Sequence, residues 1–388
     1  MKTALLVRLG GLGDILILTI VAKELKKRGY EVDLCAGSPT CNIEKLLGNT
    51  KLFRTIIELN RHFTGLDIYK VNEKDWAGVE LLKPGYDLVI DYKNSVELNS
   101  HYKHLANAPG KEWLVSQNSN YENWVDIMLS WAGIDPTTVK DEDKIPTYQV
   151  TDEEKEWAHK VARSGDFDKV VSIQTNASSL VRTWYHPDQL PRAIRDEIPD
   201  KKIAILFFDG VVWHILKGKY DFPVQVPDKF DPIRASCALV GATDLFIGAD
   251  SGFSHLAEAM QVKSLTFYTT VPAWTRMKYY KYAKAIEPIG DTFLGVQCRP
   301  CFTLDRFCPR IREKALEELT PRERTIKEAA ESGRSPAEVA RELKTTQQGV
   351  IKEGEMLQQR YNALLEQQAP CSETITMNHI LKQVVEML

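Results

Sequence analysis

The chain has 388 residues, enough for two ordinary domains and a small module, and its 43% hydrophobic and 27% charged content is globular rather than disordered. A formal net charge of −3 excludes a global electrostatic pull towards nucleic acid or an anionic membrane, so any such contact must come from a local patch. No apolar run reaches the roughly 20 residues that span a bilayer, and "MKTALLVRLGG" is too short for a secretory leader; a soluble, cytoplasmic protein is expected.

In chain order, the apolar segment "ALLVRL" predicts a first strand, followed by a turn with Gly10, Gly11 and Gly13 and a helix from about Ile15 to Lys27. "EVDLCAG" predicts the next strand, and this βαβ unit with short connections favours a parallel sheet. "YDLVIDY" (86–92) and "EWLVSQ" (112–117) read as further strands. In "TDEEKEWAHKVAR", Thr151 is an N-cap with acids in the first turn, and it marks the passage into a second unit. There "KVVSIQT", "KKIAILFF", "DLFIGAD" and "KSLTFYT" are strands, with the helix "SHLAEAMQ" before the last. Two α/β halves in series predict a two-lobed molecule with a cleft between the lobes. From Pro309 to Pro370 strand signals vanish and Glu, Arg, Ala and Gln rise, which predicts a helical insert. "TMNHILKQVVEML" then closes the chain as a helix returning to the main body. The expected organisation is a first lobe over 1–150, a second over 151–308, the insert over 309–370 and a returning helix over 371–388.

The turn "RLGGLGDILI" fits a dinucleotide fingerprint poorly: the spacing is GGxGD, and no acid ends the second strand to hold a ribose. Asp14 stands at the helix start. It reads either as an N-cap or as a carboxylate offered at the carboxyl end of a strand, where α/β proteins place their chemistry. In "LFIGADSGFSHLAEAM" a strand ends at Asp250, and Ser251 and Gly252 open a helix carrying His255. Free amides at such a helix start suit a pyrophosphate, with His255 as a further donor; the plain alternative is a capping turn with a core histidine.

Taken together, the two turns resemble the heptosyltransferase-like family, glycosyltransferase family nine, of the two-lobed GT-B fold. "VRLGGLGDILILT" is similar to the family's opening turn, and "IGADSGFSHLAEA" to its donor-binding turn, with Ser251 where threonine is usual. "SSLVRTWYHPDQL" resembles its lysine–tryptophan segment, with Arg182 in the lysine's place. The resemblance implies an α/β fold with two Rossmann-like lobes, and inverting transfer of a sugar from a nucleotide-diphosphate sugar without a catalytic metal. It also implies Asp14 as general base on an acceptor hydroxyl, beside the acceptor-side turn of Gly10, Gly11 and Gly13. The charge developing on the departing diphosphate would be met by the amides at Ser251 and Gly252, by His255 and by Arg182, with Asp250 in the same donor-binding turn and Asn176 as a further donor-site candidate. Tyr268, Thr269 and Thr270 replace the family's usual glycine-containing turn, which leaves the sugar and nucleotide open.

Cys35, Cys41 and Cys237 read as reduced thiols. Cys298, Cys301, Cys308 and Cys371 supply four thiolates, a set that suits structural Zn or Fe; the alternative is four reduced surface thiols. Such a knot would join the two ends of the insert and let it protrude. In the insert, Thr320 and Pro321 start one helix, Gly333 ends it, and Ser335 with Glu338 forms a capping box for the next. Ile326, Ala329, Val339, Ala340, Leu343, Val350, Ile351 and Leu357 are expected to form a three-helix core.

"LTPRER" and "SPAEVAREL…TTQQGVIKE" resemble the helix-turn-helix of response regulators and sigma factors. That implies DNA contact through Thr346, Gln347, Gln348 and Lys352. Against this, 309–370 holds eleven Lys/Arg and eleven Asp/Glu, a net charge of zero where DNA binders carry a surplus. The sequence therefore leads to a glycosyltransferase whose acceptor is a hydroxymethyl-type base in DNA, as in bacterial-virus genomes. A lipopolysaccharide-core heptosyltransferase-like enzyme and a non-catalytic DNA-binding regulator sensing a nucleotide sugar stand as alternatives. A homo-oligomer is left open.

Overall fold

The computed structural model describes residues 2–38, 42–59, 73–92, 123–177, 180–184, 187–208, 218–289, 292–293, 296–297, 308–365, 371 and 374–388. The expected strand at 112–117 lies outside these residues, as do Cys41, Cys298 and Cys301.

The first sheet is parallel throughout, in the order β3–β2–β1–β4, built from β1 (Lys2–Leu9), β2 (Tyr30–Gly37), β3 (Thr55–Glu58) and β4 (Leu88–Tyr92). Its two inner strands bury nearly every side chain, the signature of a sheet covered on both faces. Helix α1 (Leu12–Lys27) links β1 to β2, and it begins three residues earlier than the sequence suggests. The physical reason is that Asp14 sits at its third helical position and accepts the Gly11 N–H, so Gly11, not Asp14, is the N-cap. Along the rest of this part of the chain lie α2 (Ile43–Leu47), α3 (Glu73–Leu82) and α4 (Trp124–Trp131).

The second half starts with α5 (Asp152–Ala162), where Thr151 and Glu154 exchange the two bonds of a capping box. Its sheet runs β10–β9–β8–β5–β6–β7, from β5 (Lys169–Gln174), β6 (Ile203–Phe208), β7 (Gly218–Tyr220), β8 (Leu245–Ala249), β9 (Ser264–Phe267) and β10 (Ala283–Ile286); only β7 is antiparallel to its neighbour. Helices α6 (Leu190–Glu197), α7 (Pro232–Gly241), α8 (Gly252–Ala259) and α9 (Trp274–Met277) complete it. In both sheets chain order reverses beside a central strand, next to β1 in the first and between β5 and β8 in the second. Ligand sites of open α/β sheets lie off the carboxyl ends of strands at such points.

The two halves share one continuous hydrophobic core. Leu12, Leu16 and Ile20 of α1 belong to the same cluster as Phe253, Leu256 and Ala257 of α8, and α1 packs directly on α8. The cleft expected from sequence is therefore closed along this seam. Polar ties reinforce it: Arg234 of α7 donates to the carbonyls of Lys45 and Leu46 at 3.1 Å, and Lys144, Asp126 and Tyr279 form a buried triad across the halves.

Residues 308–365 fold into α10 (Pro309–Glu317), α11 (Pro321–Glu331), α12 (Pro336–Glu342) and α13 (Gln347–Leu365). The capping boxes Thr320–Glu323 and Ser335–Glu338 are both formed, and Gly333 takes the left-handed conformation (φ 72°) that ends α11. The separate small core holds Ile326, Ala329, Val339, Ala340, Val350 and Leu357, with Leu343 at its margin. Ile351 departs from expectation and is 37% exposed; Ala315 of α10, Leu319 just beyond its end and Tyr361 of α13 are buried instead. The expected three helices omit α10, whose apolar face supplies that difference. Helix α14 (Met377–Met387) returns to the main body, packing on α6, and the preceding Ile375 carbonyl accepts from the buried Trp184 indole at 3.1 Å.

Candidate active site

The carboxyl end of β1 leads into Gly10 and Gly11, and the tight turn leaves the Asp14 carboxyl beneath the backbone that precedes it. A side chain at Gly10 would collide with it, since an added Cβ would lie 2.4 Å from Asp14 Oδ2. Both carboxylate oxygens are engaged. Oδ2 accepts from the Gly11 N–H at 2.7 Å and Oδ1 from Arg8 Nη2 at 2.5 Å. Arg8 is fully buried at the end of β1, where it also donates to the Tyr92 carbonyl at 3.0 Å. Burial pushes the Asp14 pKa up, but Arg8, the Gly11 N–H and the more distant Arg276 outweigh it and hold it below the usual carboxylate range. Asp14 is thus ionised at neutral pH and keeps unused lone pairs on a side chain that is 22% exposed.

Across the seam, β8 ends at Asp250 and α8 begins. Ser251 is its N-cap residue, yet its hydroxyl turns away to Gln174 Oε1 at 3.0 Å and caps nothing. The amide end of α8 therefore starts without a side-chain acceptor, which makes it a site for an external anion. Arg182, on the short turn Leu180–Arg182, donates to the Asp250 carbonyl at 3.3 Å and lies 3.5 Å from its carboxylate. Asp250 is buried, so it holds Arg182 rather than facing an anion itself. Asn176 is half-buried just past the end of β5.

The two turns meet. A Cβ on Gly252 would lie 2.6 Å from Leu12 Cβ and 2.9 Å from the Gly13 nitrogen, and one on Gly13 would lie 2.7 Å from His255 Cδ2. Only glycines permit that approach. His255 is buried, and its Nδ1 is 2.5 Å from the Tyr280 hydroxyl, with the two rings edge to face. Burial pushes its pKa down to about 4; Arg276 and Arg182 act the same way, opposed by Asp250 and Asp14. The imidazole is neutral at physiological pH. Behind it, buried Arg276 stacks on Trp124, its guanidinium carbon 3.8 Å from the ring centroid.

The structure thus brings Gly10, Gly11, Gly13, Asp14, Arg182, Asp250, Ser251, Gly252 and His255 to one seam. Sequence reasoning missed Arg8, Gln174, Arg276 and Tyr280. Arg8 had a signal, a cation inside an otherwise apolar strand; the others had none. Of the candidate metal ligands, Cys308 and Cys371 share a small cluster with Val181 and Ile311. Among the described residues no group of three or more metal-ligating side chains is assembled. Thr346, Gln347, Gln348 and Lys352 are exposed at the start of α13, remote in sequence and element from the seam.

Residues 219–302 match Glycosyltransferase family 9 (heptosyltransferase), a segment that contains the Asp250–His255 turn, Arg276 and Tyr280. No curated protein matches the chain. Among solved structures, the Escherichia coli ADP-heptose LPS heptosyltransferase II is 13% identical, with 80% of this chain and 96% of that one covered and a TM-score of 0.49. The family 9 glycosyl transferase from Veillonella parvula is 14% identical (74% and 85% covered, TM-score 0.49). The Escherichia coli heptosyltransferase WaaC with ADP-2-deoxy-2-fluoro heptose is 12% identical (82% and 99% covered, TM-score 0.45). The family match covers the second of the two turns, so the heptosyltransferase-like resemblance is carried by residues 219–302. The DNA acceptor gains nothing from the family match, whose description favours the heptosyltransferase-like alternative.

Proposed function

We propose that the protein transfers a sugar, with inversion, from a nucleotide-diphosphate sugar to a saccharide hydroxyl of the lipopolysaccharide-core type. The observation that carries this reading is the meeting of an ionised, partly exposed Asp14 with the uncapped amide end of α8. Negative charge that develops on the departing diphosphate falls on the amides at Gly252 and Phe253, with the Arg182 guanidinium beside them. The acceptor hydroxyl gives its proton to a free lone pair of Asp14, whose other contacts to Arg8 and Gly11 fix the carboxylate plane. A carboxylate held this low is a weak base at rest. It suffices in the transition state, because the attacking hydroxyl becomes strongly acidic as its oxygen bonds to the sugar and the nucleotide bond breaks.

Incubation with a panel of nucleotide sugars and lipid-core saccharide or hydroxymethylated DNA, read by mass, tests the reading. A mass increase on the saccharide that vanishes in Asp14→Asn supports it, and undiminished transfer by that variant removes Asp14 as the base. A second reading, in which DNA is the acceptor, is favoured by α11–α13, whose formed caps and exposed Gln347, Gln348 and Lys352 suit a groove. Base flipping would then be needed to bring a hydroxyl to Asp14. Transfer to saccharide alone excludes it. Structural Zn or Fe on Cys298, Cys301, Cys308 and Cys371 belongs to the same proposal; it is supported by Cys308 and Cys371 lying in one cluster at the two ends of the helical segment.

A further inference from the structure

We propose that Tyr280 is a positioning residue: its hydroxyl donates to His255 Nδ1 and so fixes the imidazole with its proton on Nε2, making His255 a neutral N–H donor at the seam. The inference deepens the proposed function and rests on it for its catalytic half. Three observations carry it. The Nδ1 to Oη distance is 2.5 Å, and among the described residues that imidazole nitrogen is the only hydrogen-bond partner of the Tyr280 hydroxyl. Were Nδ1 protonated and donating, the phenol proton would have no acceptor there, an arrangement that semi-buried hydroxyls avoid. Burial, with Glu258 and Asp250, also pushes the Tyr280 pKa well up, so the phenol keeps its proton to give.

The opposite edge of the ring is the one that matters. A Cβ on Gly13 would fall 2.7 Å from Cδ2 and 3.3 Å from Nε2, so this edge lies on the first glycine turn, against the residue immediately before Asp14. His255 is the fourth residue of α8, and side chains on a helix lean back towards its N-terminus. The ring therefore leans towards the amide end that has no side-chain cap. With Nε2–H in place, the seam offers a donor to an incoming anion; with the other tautomer it would offer a lone pair, which repels one. A neutral donor also avoids forming an ion pair with Asp14 that would take the carboxylate away from the acceptor hydroxyl.

The test is the nitrogen-15 spectrum of the imidazole in the full-length, substrate-free protein, which reports the two ring nitrogens separately. His255 is recognised as the ring that stays neutral as the pH is lowered through 5, and by loss of its signals in His255→Gln. The expected result is a protonated Nε2 and a bare Nδ1 in the native protein. In Tyr280→Phe, which keeps the ring, the tautomers become mixed and kcat falls roughly tenfold with KM for the nucleotide sugar nearly unchanged. A protonated Nδ1 in the native protein overturns the assignment without recourse to any variant. An unchanged tautomer in Tyr280→Phe overturns the role of Tyr280, and an altered tautomer with unchanged kcat overturns its part in catalysis. Should the native protein show the expected tautomer but transfer no sugar, the proposed function fails and the tautomer assignment survives.

Discussion

The two glycine turns occupy equivalent places in their sheets, yet they treat the positive end of the following helix in opposite ways. At the first, α1 receives a carboxylate from its own chain: Asp14 accepts the Gly11 N–H, and Arg8 neutralises what remains. At the second, α8 receives nothing, because the Ser251 hydroxyl is drawn to Gln174. One helix start is internally filled and the other is left for an outside anion. The same βα geometry can therefore hold a base or a phosphate, and the choice is made by whether a side chain caps the helix start: Asp14 does at α1, and none does at α8. This is also why the first turn fails as a dinucleotide site: its amide end is already occupied.

The comparison can be broken most severely at Asp14. Asp14→Asn keeps the shape but removes the base, and transfer is expected to fall about 10²–10⁴-fold, while nucleoside diphosphate affinity measured by calorimetry is expected to stay close to that of the parent. Affinity lost in step with rate would mean the first turn holds the anion too. Next in size is Gly252→Ala, whose Cβ would meet Leu12 and the Gly13 backbone. It is expected to cost about 1–3 kcal/mol in denaturant unfolding and to weaken both substrates together, since the seam parts. The corresponding Gly11→Ala meets only an ordinary contact, at 3.8 Å from Asp14 Oδ2, and is expected to change far less. Equal losses at the two positions would dismiss the seam as the organising contact.

Arg182→Ala is expected to raise KM for the nucleotide sugar about tenfold or more, with Arg182→Lys recovering part of it; an unchanged KM would place the diphosphate elsewhere. The smallest effect is in pH dependence. With a folded pKa of about 4 against an ordinary value near 6.5, His255 binds its proton more readily in the unfolded chain. It therefore leaves stability untouched above pH 6.5 and subtracts from it as the pH falls towards 4. Asp14, lowered in the folded state, adds stability above its unfolded pKa and loses it as the pH falls through the folded one. Melting curves from pH 4 to 7 should decline less steeply in His255→Gln than in the parent, and a rate limb near pH 6.5 that follows His255 would contradict the neutral imidazole.

Strands β1, β2, β4, β5, β6, β8 and β9, the two turns and the caps at Thr151, Thr320 and Ser335 were legible because each rests on local chemistry: apolar runs, glycine spacing and a hydroxyl three residues before a glutamate; β3, β7 and β10 carried no such signal. What was not legible depends on elements far apart in sequence. Asp14 offered two local readings, and it took Arg8, bound in turn to the Tyr92 carbonyl of β4, to show how the carboxylate is held. The resemblance to family nine named the second turn as donor-binding, but Asp250 looks the same in sequence whether it faces a ligand or, as here, is buried beneath Arg182. Arg276 and Tyr280 follow a segment with no motif; Arg276 is held where α9 packs on α4, and Tyr280, just past α9, meets His255 of α8. In the helical segment, Ile351 was assigned to the core by spacing alone, and the buried Tyr361 shows that the 19-residue α13 presents a face rotated from the one assumed.

The most direct test of the division between the turns is titration of the free protein with each common nucleoside diphosphate in turn, the one that binds being followed through the backbone amide signals of both. The account predicts that the signals of Gly252, Phe253 and Ser254 move furthest and saturate together, while those of Gly11 and Asp14 move little. Saturating movement at Gly11 and Asp14, with the start of α8 unaffected, would contradict it.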